Sequence, residues 1–153
     1  MALAGLGWRA VPRLVGVLLL CVALTACGES TDDKYKDAFP PINRSLVVLG
    51  GDVGEGLRKA DDARLADQFA GYARRLAGLR ERLDGLEAPE PVSKDHRALL
   101  AAMAAVRSAL ADIAQAARGG DAAAASDAAT RLVRGAARLD EVRGELAREV
   151  RTL

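Results

Sequence analysis

Three stretches of the chain carry apolar residues at alternating spacings of three and four, which is typical of helices that pack along one face. The first stretch runs from Leu65 to Leu86, the second from His96 to Ala117, and the third from Ala125 to Leu153. In the third stretch Arg143 occupies one position where the pattern favours an apolar side chain. Each stretch predicts a helix of about 25 residues and about 38 Å. The chain is therefore predicted to be all-α.

Short breaks separate these helices and decide how they run relative to one another. The segment Glu87–Pro91 contains two prolines, which remove backbone donors and push the preceding residues out of the helical region. In Gly119-Gly120-Asp121, glycine suits a helix end, and the Asp121 side chain can cap the next helix. Because the links are short, consecutive helices are expected to be antiparallel.

The segment before Leu65 predicts a weaker first helix. Pro40-Pro41 suits a helix start, and an apolar stripe follows from Ile42 to Leu57. Four glycines lie between positions 50 and 56, and each costs about 1 kcal/mol relative to alanine inside a helix. We therefore expect a kink or an open loop there, with the continuity of residues 42–60 left open. The predicted fold is an up-down antiparallel four-helix bundle with an irregular first helix, and a three-helix bundle is the alternative.

The N-terminus has the pattern of an export signal. Arg9 and Arg13 precede an eleven-residue apolar run, Leu14 to Leu24. Such a run spans only about 16 Å as a helix, whereas a bilayer core is about 30 Å thick. A basic start, a short apolar core and small residues at its end are typical of a secretory signal peptide.

The residues Leu24-Thr25-Ala26-Cys27 resemble the lipobox of bacterial lipoproteins at every position. The resemblance implies that the Cys27 thiol receives a diacylglyceryl group and that the signal is removed before Cys27, with acyl chains such as palmitate holding the protein in the membrane. An uncleaved N-terminal anchor and an ordinary signal cut elsewhere are the alternatives. The expected divisions are a signal peptide at 1–26, a polar tether at 27–34 and a helical bundle domain at 35–153. The expected location is the extracytoplasmic side of the cell membrane.

Composition limits the partners of such a protein. The whole chain has 22 basic and 21 acidic residues, and loss of Arg9 and Arg13 with the signal would leave one net negative charge. No overall field would then attract nucleic acid, and nucleic acid is not an expected partner. Cys21 would also leave with the signal, so that Cys27 would be the only cysteine and no internal disulfide could form.

No group of residues indicates catalysis, a metal or a cofactor, and none is predicted. Ser93, Asp95 and His96 lie within one turn, where Ser93 suits a helix cap better than a catalytic nucleophile. His96 is expected to pack half-buried with a local partner. The candidate interaction surface is a basic face of the last helix, which is formed by Arg131, Arg134 and Arg138. Interleaved acids instead favour an ordinary solvated surface for these arginines.

Residues 62–153 resemble the uncharacterised helical-bundle lipoproteins common in actinomycetes. The shared features are a leucine-rich helix that ends in a proline-containing break, with Leu83, Leu86 and Pro89, and a Gly120-Asp121 start to the last helix. The resemblance implies an architecture and carries no catalytic residues. We expect a non-enzymatic module for protein interaction or structure in the cell envelope, with an envelope protein as partner and an oligomeric state left open.

The alternative function is a carrier or sensor of a small apolar or anionic ligand. One structural feature would separate the two functions. A solvent-accessible apolar cavity near Leu46, Val53 and Met103 would favour the carrier, whereas a solid core with a large apolar surface patch would favour the interaction module.

Overall fold

A computed structural model describes residues 30–59 and 62–153 and contains four α-helices within those ranges. The helices are α1 (Thr31–Arg58), α2 (Asp62–Asp84), α3 (Ser93–Gly119) and α4 (Ala122–Val150), and a 3-10 turn, Glu90–Val92, precedes α3. Helix α3 packs against α2 and α4, while α1 packs against α2 and, over fewer residues, against α4. Each helix thus neighbours the ones before and after it. The prediction of an all-α four-helix bundle is confirmed.

The core lies along the predicted apolar faces of the helices. In α3 the side chains of Leu99, Met103 and Leu110 are fully buried, and they belong to the same core as Leu76 of α2 and Leu132 of α4. Small residues bring α3 and α4 close together, because a Cβ added at Gly135 would lie 3.3 Å from Val106 Cγ2. The three predicted apolar stretches therefore do form the inner surface of the bundle.

Helix α1 differs from its prediction in where it begins. The Ser30 hydroxyl oxygen accepts a hydrogen bond from the Asp33 amide at 3.1 Å, so that the helix begins at Thr31. The helix therefore begins nine residues before Pro40, where a start was expected, and Thr31–Lys34 of the predicted tether are helical. Tyr35 and Phe39 are 1% exposed and continue the apolar stripe toward the N-terminus. Their packing outweighs the hydrogen bonds that the internal prolines leave unmade.

The open loop that was one expectation for residues 50–56 is not present, because α1 continues as a helix to Arg58. Gly56 is buried, and a Cβ there would lie 2.8 Å from both Gln68 Nε2 and Tyr72 Oη. This glycine therefore permits close packing of α1 on α2. A Cβ added at Gly50 or Gly51 would meet no heavy atom within 4 Å in the described part of the chain. Tertiary packing at both ends of α1 overrides the weak helix propensity of the glycines.

The turns follow the predicted chemistry in one case and not in another. Gly120 ends α3 in the left-handed region with φ 67°, and the Asp121 carboxylate accepts from the Ala124 amide at 2.9 Å, as expected for a helix stop and cap. Ser93 makes no such cap. It is the first residue of α3 and continues directly from the 3-10 turn, which supplies the preceding backbone hydrogen bonds.

Candidate functional site

An apolar groove lies between α1 and α4 and reaches inward to α2 and α3. We call it the α1–α4 groove. Its cavity has a volume of about 310 Å³, and its walls are mainly aliphatic: Leu46 and Val53 of α1, Leu76 of α2, Leu110 of α3, and Leu132 and Leu139 of α4. Cavities of a few hundred Å³ with apolar walls are typical of sites for small ligands. The groove is thus a candidate ligand site with mainly aliphatic walls.

The groove exists because α1 and α4 face each other through small or partly exposed residues. Gly50 lines the groove and has no side chain to fill it, and Ala136 supplies only a methyl group from the opposite wall. Ala136 is exposed and Leu139 is only partly buried, although both lie on the predicted inner face of α4. Helix α1 therefore leaves the middle of α4 incompletely covered.

One end of the groove is polar. Arg143 lines the groove with Asp140, and its Nη1 donates a 3.0 Å hydrogen bond across to Asn43 Oδ1 on α1. Its Nη2 forms an ion pair with the Asp140 carboxylate. The Arg143 side chain is 21% exposed, whereas that of Asp140 is 74% exposed. The largely enclosed Arg143 side chain thus lies beside an aliphatic cavity, and the more exposed Asp140 is its counter-ion.

This arrangement accounts for the irregularity that Arg143 introduces into the sequence pattern of α4. Val142 turns into the core at 1% exposure, and Arg143 points along the groove toward α1. Asn43 is the only asparagine in the chain, and neither it nor Asp140 was among the residues predicted from the sequence to form a site. The signal that could have identified the site was the charged residue in an otherwise apolar helix face.

Exposed valines lie next to the groove. Val47 is 53% exposed and forms part of the wall, and its neighbour Val48 is 58% exposed.

A cavity near Leu46, Val53 and Met103 was expected from the sequence to favour a carrier. Leu46 and Val53 line the observed cavity, while Met103 is fully buried in the core and does not line it.

The basic face of α4 is largely neutralised. Arg131 Nη2 lies 3.0 Å from Asp112 Oδ2 on α3, and Arg138 Nη1 lies 2.6 Å from Glu141 Oε2. Arg134 is exposed and makes no ion pair with the residues that the structure describes. These three arginines do share an exposed face, but two of them have acidic partners, as expected of an ordinary solvated surface.

His96 lies outside the groove and joins α3 to α1. It is 6% exposed, and its Nδ1 is 2.8 Å from the Tyr35 hydroxyl. The expected half-buried histidine with a local partner was wrong, because the partner lies 61 residues away in the sequence. Burial lowers the pKa of His96 below its usual 6.5, an effect that the nearby Asp84 partly opposes and Arg97 increases. Burial also raises the pKa of Tyr35. The pair connects the first turns of two helices that are not consecutive.

Within the described residues no group of three or more potential metal ligands comes together. One helical span there, Glu90–Gly119, is long and apolar enough to cross a membrane by length and composition. The core residues Leu99, Met103 and Leu110 lie on that span.

Cys27 and the rest of the predicted signal and lipobox lie outside the described residues. Comparisons with protein-family models, with curated proteins and with solved structures returned no match.

Proposed function

We propose that this chain is a lipid-anchored protein of the cell envelope that binds a small, largely apolar ligand in the α1–α4 groove. The observation that carries the proposal is the aliphatic cavity of about 310 Å³ lined by Leu46 and Val53. The aliphatic walls of the groove are open to water, and apolar surface gains free energy when it is removed from water. The alkyl part of a ligand in the groove would cover those walls.

The proposed anchor would keep the bundle close to the membrane. Ser30 begins the cap of α1 only three residues after Cys27, so that the two Cα atoms lie at most about 11 Å apart. The polar end of the groove at Asn43 lies twelve residues along α1 from Thr31, which is about 18 Å of helix. A lipid on Cys27 would thus keep the polar end of the groove within about 30 Å of the bilayer surface.

The ligand-binding proposal is tested by filling the groove. Gly50→Leu places a side chain in the cavity, whereas Gly51→Leu adds the same side chain to the same helix away from the lining. We expect native mass spectrometry of the full chain, extracted from its own membrane, to show a small discrete mass above that of the lipidated chain. Gly50→Leu should remove this mass and Gly51→Leu should retain it. A bare lipidated chain, or equal effects of the two variants, would contradict the proposal.

The anchor has a separate test. Cys27→Ser removes the thiol that would carry the lipid, and Cys21→Ser is the matched control within the predicted signal. We expect Cys27→Ser alone to change the mass of the chain by loss of the acyl groups and to release it from its lipid attachment. If the Cys27→Ser variant stays in the membrane fraction without a change in the mature mass other than the substitution itself, the lipoprotein proposal is wrong.

A second candidate function is the interaction module that was expected from the sequence. It is favoured by Arg134, which is exposed on the basic face and makes no ion pair with the described residues. Such a cation can pair with an acidic side chain of a protein partner. Chemical crosslinking in intact cells tests this function. If Arg131→Glu with Arg138→Glu leaves every crosslinked envelope partner in place, the basic face is not the interaction surface.

A further inference from the structure

We infer that the ligand of the α1–α4 groove is a free single-chain carboxylic acid, with its chain along the groove and its carboxylate on Arg143. This inference rests on the proposed ligand-binding function and adds the chemical class of the ligand. Three features carry it: the narrow apolar shape of the cavity, the position of one guanidinium at its end, and the carboxylate that already contacts that guanidinium.

The shape of the groove suits one extended chain. Its lining extends along α4 from Leu132 to Arg143, eleven residues or about 16 Å of helix. Its volume of about 310 Å³ is near the lower limit for ligand cavities. A cavity of this size has no room for a lipid with two long acyl chains. The occupant is therefore a molecule with a single chain.

The charge at the end of the groove suits a carboxylate. Among the described residues that line the groove, Arg143 is the one cation. Its enclosed position reduces competition from water for its N–H donors. A guanidinium has five N–H donors in a planar fork that matches the two oxygens of a carboxylate. Arg143 uses two of these groups, for Asn43 and Asp140. The remaining donors are available to a ligand.

Asp140 shows how the exchange would occur. Its carboxylate forms an ion pair with the Arg143 guanidinium, and the Asp140 side chain is 74% exposed to solvent. It can turn into water at little cost when a ligand carboxylate approaches from the groove. The ligand carboxylate would then replace the Asp140 carboxylate on Arg143, and burial of the alkyl chain in the aliphatic groove would provide the added affinity. A neutral alcohol would gain nothing from this exchange, because it carries no charge to pair with Arg143.

A photolabelling experiment on the full chain tests this assignment. The chain is reconstituted in phosphatidylcholine vesicles and titrated with dodecanoic acid or dodecanol, each with a diazirine at the end of its chain. Labelled peptides are identified by mass spectrometry. We expect labels on groove residues such as Leu132 and a preference of about tenfold or more for the acid, as a charge-assisted hydrogen bond would give. Gly50→Leu should abolish the labels and Gly51→Leu should retain them.

Three variants separate the charge of Arg143 from its structural contacts. Arg143→Gln should remove the preference for the acid and leave labelling by the alcohol unchanged. Asn43→Ala removes the hydrogen bond that Arg143 donates to α1 but keeps the cation, and it should retain the preference. Asp140→Asn removes the competing carboxylate at an exposed position, so that affinity for the acid alone should rise severalfold.

The outcomes distinguish the two proposals. If acid and alcohol label the groove equally in the unmodified chain, or if Arg143→Gln and Asp140→Asn leave the preference unchanged, the assignment of a carboxylate is wrong while ligand binding stands. If neither probe labels the groove, or if Gly50→Leu is labelled as strongly as Gly51→Leu, the ligand-binding function itself is wrong.

Discussion

Replacement of Gly56 by alanine tests whether close packing of α1 on α2 requires a residue without a side chain. A Cβ at this position would lie 2.8 Å from Tyr72 Oη and 3.1 Å from Tyr72 Cε2. Tyr72 cannot easily move away, because its hydroxyl donates a 2.9 Å hydrogen bond to the Asp52 carbonyl. The helix must therefore shift outward or the hydrogen bond must break.

The magnitude depends on two opposing effects. Alanine improves helix propensity by about 1 kcal/mol relative to glycine, while added volume at a packed contact costs about 1–3 kcal/mol. Gly56→Ala should therefore lower the free energy of unfolding by up to about 2 kcal/mol, since the steric cost exceeds the gain in propensity. Gly51→Ala is the matched control, because it meets no heavy atom within 4 Å in the described part of the chain. It should stabilise the fold by about 0.5–1 kcal/mol.

Urea denaturation followed by circular dichroism measures both variants, with the slope of the transition compared as well as its midpoint. The difference between the two variants isolates the steric cost, because both gain the same helix propensity. If Gly56→Ala stabilises the protein as much as Gly51→Ala does, α1 and α2 are not in close contact at Gly56 and the reasoning is refuted.

Two further predictions concern His96 and the helix caps. Burial lowers the pKa of His96 in the folded chain, so that below about pH 6.5 the unfolded chain binds a proton that the folded chain does not. The free energy of unfolding should therefore fall as the pH drops from about 6.5 toward the folded pKa. His96→Gln should remove this pH dependence in urea denaturation between about pH 7.5 and 5.5. An unchanged slope in His96→Gln would mean that other groups cause the pH dependence. Ser30→Ala and Asp121→Ala each remove a cap and should lower the free energy of unfolding by about 1 kcal/mol, with hydrogen exchange increased in the first turn of the helix concerned. Normal protection of that turn after Ser30→Ala would argue against a start of α1 at Thr31.

Much of the fold was predictable because it depends on periodicity and on local turn chemistry. The apolar spacing through Phe69, Leu76 and Leu83 determines one face of α2, and these residues are buried as expected. Gly120 and Asp121 form their stop and cap through contacts with immediate neighbours. Such features require no knowledge of the other helices.

The first helix and the groove were not predictable to the same degree. The start of α1 depends on Tyr35, which is held in the core by His96 from a helix 61 residues away. The role of Gly56 depends on the distance of α1 from Tyr72, and propensity alone indicates only a weak helix. The cavity near Leu46 and Val53 was foreseen only as a feature that would separate two functions, and Met103 proved to lie in the core instead.

The amino-acid sequence by itself determined that the chain forms antiparallel helices with one apolar face each, since spacing and helix caps act within a few residues. Only the tertiary structure decided that α1 leaves the middle of α4 partly uncovered, and that Arg143 closes one end of the resulting groove with Asn43. These residues are 100 positions apart in sequence. Their meeting depends on how all four helices pack, which local patterns do not specify.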